Sequence, residues 1–399
     1  MARLSRMSFW SMVVVFASVA AVAGAGERTT PNGDVLFQAY NPSAGGLAQA
    51  GDSTIRTYNS ATTELYADTM AASLTMQRQF ARVLPSIADY SQTAHKVSSA
   101  NGSYCAPDAN WVMWDTPFLT HEARRTNDDY MGYRNTSSGF ATGISRMLGE
   151  TTAVGLALGY DARKMTNRDG YHWRNRADAF HAAIYGGTAL GCLFVDGYAG
   201  YSRSWQRTER DMEFANDYAR YHGNFNDTIL SGGLKASYVL ILPNEMRITP
   251  SIGLDYSYIR TGSFYESGSR NTGGVGYWAV DKASHHSLQT PIMVSANRTF
   301  SANFLTFGGA CSLWTPEVRA GYVTQFGAKR TSVRARTIDG SLPHKYSATS
   351  NEIGGSYGTI GTGLKIKIRD KFIFAVDYDY TFGDKYSNHT VTGTYGVSF

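Results

Sequence analysis

Three sets of residues have types and spacing that could carry chemistry. Gly354-Gly355-Ser356-Tyr357-Gly358 matches the G-x-S-x-G string of a serine nucleophile elbow. Such an elbow needs a strand running sharply into a helix. Here Ile360, Leu364 and Ile366 follow at strand spacing, so Ser356 reads as a strand residue. His181 and the pair His285-His286 could serve as bases for a serine hydrolase, but a triad also requires contact geometry that spacing alone does not supply. The third set is charged: Asp255, Glu317, Arg319, Lys365, Lys367, Asp377 and Asp379. Glu317 with Arg319, Lys365 with Lys367, and Asp377 with Asp379 are each two positions apart, so each pair shares one face of a strand. They read as a polar wall of paired charges rather than a carboxylate site. Gly358-Thr359-Ile360-Gly361-Thr362-Gly363 misses the dinucleotide spacing, and no Cys/His cluster has zinc spacing. The expectation is no catalytic, cofactor-binding or metal-binding residue.

The elements that must position those charges repeat every second residue. Val154, Leu156, Leu158 and Tyr160 alternate with Ala153, Gly155, Ala157 and Gly159. Ile252, Leu254, Tyr256 and Tyr258 alternate with Ser251, Gly253, Asp255 and Ser257, and Phe374, Val376, Tyr378 and Tyr380 with Ala375, Asp377 and Asp379. One face is apolar and ends in aromatics; the other is small or charged. A transmembrane barrel has this lipid-out, lumen-in pattern, with aromatic girdles at both interfaces. About twelve such segments begin near Trp111, Thr136, Thr151, Arg176, Leu190, Asn224, Arg247, Ser287, Trp314, Gly354, Lys371 and Asn388. Tight turns at Gly149-Glu150, near Thr188, at Pro243-Asn244 and at Arg369-Asp370 alternate with longer polar loops at 163–173, 208–221, 261–285 and 327–350. Short periplasmic turns and long outer loops give that alternation. Gly 41 and Tyr 26 against Pro 10, with a mean hydropathy of -0.29, suit a barrel whose lumen is polar. A soluble sandwich would turn the aromatic-ended apolar face inward. The net charge of +5 is too small to argue for nucleic acid.

The first 110 residues follow other rules. Arg3 and Arg6, the apolar run from Phe9 to Ala21, and the small residues Ala21-Val22-Ala23 and Ala23-Gly24-Ala25 read as a signal peptide over 1–25, cleaved near Ala23 or Ala25. In the 26–110 region, residues 53–83 lack Gly and Pro and place Ile55, Tyr58, Leu65, Met70, Leu74 and Phe80 at helical spacing. Ser53 would cap that helix and Pro85 would stop it. At 1.5 Å per residue it is long enough to cross a membrane inside a pore. A Ser/Asn/Gly-rich linker then leads to a barrel domain over 111–399. Cys105, Cys192 and Cys311 are an odd number, so not all can pair within the chain.

From about Asn110 onward the chain resembles the autotransporter β-domain, the translocator of type V secretion in Gram-negative bacteria. The segments that carry the resemblance are Ser138-Gly139-Phe140-Ala141-Thr142-Gly143, residues 153–160, residues 249–256, Thr315-Pro316-Glu317-Val318-Arg319-Ala320-Gly321-Tyr322 and the end Thr394-Tyr395-Gly396-Val397-Ser398-Phe399. The resemblance implies an all-β fold: a twelve-stranded antiparallel transmembrane barrel with an N-terminal α-helix threaded through the lumen. It implies a cell outer membrane location, partners among outer-membrane lipid, the assembly machinery and periplasmic chaperones, and a monomeric, non-enzymatic barrel. It also makes Tyr395, Val397 and Phe399 the apolar marks that the assembly machinery reads. Family passengers are long solenoids, whereas 26–110 is short for one. Some members cut their own linker at an Asn; Asn101-Gly102 is a turn pair first. The competing readings are a general pore or surface-loop adhesin and a barrel hydrolase.

Overall fold

A computed structural model describes residues 52–86, 111–126, 132–149, 151–167, 173–214, 217–243, 245–268, 278–301, 312–326, 330–337, 345–350, 356–368 and 371–399. The expected signal peptide and linker, Asn101, Cys105 and Cys311 lie outside these residues. Twelve long strands form the wall: β1 (Trp111–Arg124), β2 (Tyr133–Leu148), β3 (Thr152–Asn167), β4 (Trp173–Leu190), β5 (Leu193–Phe214), β6 (Asp217–Tyr238), β7 (Met246–Thr261), β8 (Ala283–Arg298), β9 (Ser312–Phe326), β10 (Tyr357–Ile368), β11 (Phe372–Gly383) and β12 (Tyr386–Ser398). Each pairs antiparallel with its sequence neighbours, from β1 with β2 round to β11 with β12. β1 then pairs with β12, with Met113 opposite Val397 and Leu119 opposite Val391. Two further backbone bonds join Trp111 and Phe399, at 3.1 and 2.9 Å. The sheet therefore closes. Closure matters because lipid solvates no free N–H or C=O.

The alternation falls as the periodicity predicts. Leu156, Leu158, Ile252, Leu254, Phe374 and Val376 are exposed on the outside, while Ala153, Ala157 and Ala375 are buried on the inside. Tight turns gather at one rim. One of them lies at Gly191-Cys192, in the left-handed region at Gly191 (φ 65), rather than near Thr188, because the β4–β5 ladder continues to Leu190 opposite Leu193. Cys192 is a free, exposed thiol there.

The other rim carries the long connections, and there the structure departs from a plain loop reading. Residues 208–221 are not a loop: β5 and β6 stay in register up to Phe214 opposite Asp217. The connections 261–285 and 327–350 contain strands of their own. Phe264–Tyr265, Trp278–Val280, Ser332–Thr337 and Lys345–Thr349 form a separate four-stranded sheet. Long connections mark the outer face of a membrane barrel, so this small sheet lies on the outside.

The one helix among the described residues, α1 (Asp52–Arg82), runs through the interior. It starts one residue before the expected Ser53. At 1.5 Å per residue its 31 residues span about 47 Å. No helix among the described residues is long and apolar enough to cross a membrane by itself, and α1 crosses only inside the wall.

Candidate functional site: a plugged lumen

α1 meets the wall in three tiers. At the outer end Leu65, Tyr66, Met70 and Leu74 pack with Tyr133, Met165, Trp173, Phe225, Ile229 and Ile259 of the wall, and with Phe264, Trp278, Val280, Val333 and Ala335 of the outer sheet. Tyr66 meets Phe264 edge-on at 5.0 Å, and Phe264 stacks on Phe225 at 4.5 Å. A buried ion pair fastens that sheet. Arg210 of β5 donates to both oxygens of Glu266, at 2.7 and 2.6 Å. The Trp278 amide donates to the same carboxylate at 2.9 Å, and the Tyr66 hydroxyl reaches it from the helix. Thr331 Oγ1 donates to the Ala67 carbonyl at 2.6 Å. Wall, helix and outer sheet thus converge on one carboxylate.

The middle tier is polar. Ser73 Oγ donates to Asp227 at 2.7 Å, and Thr261 Oγ1 donates to the same carboxylate at 2.6 Å. Arg163 donates to Asn175 and Gln206 at 2.7 and 2.8 Å, while Gln206 Nε2 donates to Ser73 and Asp227, both at 2.9 Å. Gln77 Nε2 donates to Ser231 Oγ at 2.6 Å. A helix without a continuous apolar stripe is stable here because the wall supplies these partners; buried polar groups cost stability only when unpaired.

In the inner tier Phe80 stacks on His181, with ring centroids 4.8 Å apart. It also lies against Gly159, where an added Cβ would come within 2.7 Å of its ring. That close approach accounts for a residue without a side chain at this lumen position. Trp114 Nε1 donates to the Tyr185 hydroxyl at 2.6 Å nearby.

The charges expected in the lumen are distributed as follows. A cavity of about 560 Å³ lies beside the last turn of α1, toward the tight-turn rim. Asp255, Glu317, Arg319, Lys365, Asp377 and Asp379 line it, together with Arg78 and Arg82 of the helix. Arg319 is the hub of an ion network: Nε is 2.8 Å from Asp379, and Nη1 is 2.8 Å from Asp377 and 3.4 Å from Glu317. Asp255 accepts from Tyr198 at 3.3 Å. Lys367 is buried one step beyond the cavity. Arg82 in the last turn also opposes the negative end of the helix dipole.

Sequence spacing did not find the grouping around His181. Its Nδ1 lies 2.7 Å from Ser202 Oγ and its Nε2 lies 3.5 Å from Asp161. All three are at most 2% exposed, and the Phe80 ring covers the imidazole. They sit on three successive strands, so only the β3–β4–β5 register unites them. Ser356 is exposed and leads straight into β10, so the G-x-S-x-G string forms no elbow. His285 and His286 lie on β8, on opposite faces.

A closed twelve-stranded barrel plugged by a helix from its own chain defines a class: an outer-membrane barrel whose N-terminal segment traverses the pore. The autotransporter β-domain family model matches residues 113–379, and the chain belongs to that family. The translocator domain of the autotransporter NalP from Neisseria meningitidis superposes with a TM-score of 0.56 at 17% identity, covering 84% of this chain and 99% of that one. The β-domain of the Bordetella autotransporter Brka gives 0.52 at 16% identity, over 73% and 100%. Outer membrane protein A of Rickettsia rickettsii is 24% identical over 294 residues, 70% of this chain and 12% of its own length. Outer membrane protein B of Rickettsia typhi is 19% identical over 322 residues, 77% of this chain and 19% of its own length. The chain thus spans less than a fifth of these relatives. It is a translocator-type barrel of the outer membrane.

Proposed function

We propose that the barrel serves the segment preceding Asp52, carrying it through the lumen to the cell surface without enzymatic chemistry. The direction of α1 carries this reading. Leu65 to Leu74 lie under the outer sheet, while Phe80, Val83 and Leu84 pack at the tight-turn rim. A chain that leaves the pore at its N-terminal end and returns to β1 at its C-terminal end has this polarity. The lumen charges Asp255, Glu317, Arg319, Lys365, Lys367, Asp377 and Asp379 hold a neutralised, wet wall beside the helix. The Asp161–His181–Ser202 group supports the non-enzymatic reading, because Phe80 seals it from any substrate. A sheet closed on itself offers no edge for a partner and suits a monomer.

The competing reading is a general pore, and conductance separates the two. In planar bilayers the intact chain should conduct far less than a variant lacking residues 52–82. Equal, large conductance from both would favour the general pore.

Assembly is the second part of the proposal. Tyr395 and Val397 on β12 and Phe399 just beyond it fall at alternate positions, and Tyr395 packs on Phe374 at 5.3 Å. We assign them as the marks read by the assembly machinery, after delivery by periplasmic chaperones. Phe399→Ala should cut outer-membrane assembly in cells while refolding into detergent proceeds as for the wild type. Equal loss in both settings would reduce Phe399 to an interface anchor.

A further inference from the structure

We propose that the outward face of β3–β5, at the outer rim, binds the phosphate headgroup of an outer-leaflet lipid through Lys164, Arg176 and Arg207. The strand register builds the site. Lys164 lies directly opposite Arg176, and Arg176 directly opposite Arg207. Three exposed cations therefore stand side by side on adjacent strands, about 10 Å from first to last at 4.7–4.9 Å per strand. Like charges directly opposite each other destabilise a sheet, so such a row needs an anion.

Neighbouring side chains do not supply it. Three carboxylates share this face among the described side chains, and all are engaged; Asp211 accepts from Arg220 at 2.6 and 3.1 Å. Glu209 accepts from Arg174 at 2.5 Å in the row above, and Asp178 accepts from the Tyr160 hydroxyl at 2.7 Å in the row below. Among the described residues, none forms an ion pair with Lys164, Arg176 or Arg207. Arg203 adds a further cation at the ring level, its guanidinium 5.9 Å from the Trp205 ring.

Height in the membrane identifies the anion. Directly below the row come Tyr160, Phe180 and Trp205, all exposed on the same face. Such rings mark the interface between hydrocarbon and headgroups. Below them again lie Leu156, Leu158 and Ile184, exposed as a continuous apolar surface. An occupant must place negative charge at the cations and apolar chains along the leucines at once. A phosphorylated lipid does both; a soluble anion uses only the first. Toward the outer ends of β11 and β12 stand Tyr378, Tyr380 and His389 instead, with Tyr378 and His389 in contact at 2.8 Å. No such row of three cations stands on those two strands.

Native mass spectrometry of the purified full chain in neutral detergent tests the proposal. The probes are lipid A, the same lipid stripped of its phosphates, and inorganic phosphate. Charge-assisted hydrogen bonds make the expected preference of the wild type for lipid A over the stripped form about tenfold or more. The triple variant K164Q/R176Q/R207Q should lose that preference, and inorganic phosphate should bind far more weakly than lipid A. Equal binding of both lipids by the wild type would overturn the site even if the variant fails to fold. An unchanged preference in the folded variant would overturn the assignment of these residues. Inorganic phosphate bound as tightly as lipid A would overturn the lipid as occupant.

Discussion

Replacing Arg210 by Met should destabilise the folded barrel by about 3–5 kcal/mol, the cost of leaving a buried charge without its partner. Arg210 is 2% exposed and the Glu266 side chain is fully buried beside it. The lost guanidinium strands a carboxylate that also holds the Trp278 amide and the Tyr66 hydroxyl. The damage should therefore centre on the outer sheet. Denaturant unfolding in detergent would show the lower midpoint, and limited proteolysis would show faster cleavage between residues 262 and 282. Adding Glu266→Gln to Arg210→Met should restore much of the loss, since no buried charge then remains. A single variant with wild-type midpoint and protection would mean that the pair does not fasten the sheet.

The second large effect belongs to the lipid face. Leu254 is 48% exposed and stands opposite Leu234 on β6, well inside the apolar band. Leu254→Arg should cost about 2–4 kcal/mol, falling to about 0–1 kcal/mol for Leu240→Arg near the tight-turn rim. Leu156→Arg should follow Leu254→Arg. Refolding titrations into lipid vesicles measure all three. A larger penalty at Leu240 than at Leu254 would mean that the facing or the depth is wrong.

The wall was legible in the sequence because lipid and lumen impose opposite demands on successive residues. Leu156 and Gly155, or Val376 and Asp377, announce their faces without further context. α1 was legible for the complementary reason: no Gly or Pro interrupts the chain between Gly51 and Pro85. Other features depended on information that a one-dimensional reading lacks. Residues 208–221 read as a loop because a hairpin rising beyond the membrane has water on its outer face, so apolar alternation is not required. The outer sheet escaped because Phe264–Tyr265 and Trp278–Val280 are two and three residues long, too short to show a period. Arg210 and Glu266 are 56 positions apart, and Asp161, His181 and Ser202 meet only through register. Free space was also hidden. Gly155 faces the lumen, where a Lys would be expected to fit, but the Tyr185 ring occupies the place of its Cβ. Lys there would unseat the Tyr185–Trp114 contact rather than reach open water.

The central claim is that α1 threads the pore with the chain before Asp52 outside. Intact cells carrying an epitope and a protease site just before Asp52 test it most directly. Surface protease should release the epitope, while a matching tag in the linker between Ser86 and Trp111 stays protected until the outer membrane is permeabilised. An epitope before Asp52 that survives on intact cells, with the barrel assembled, would contradict the account.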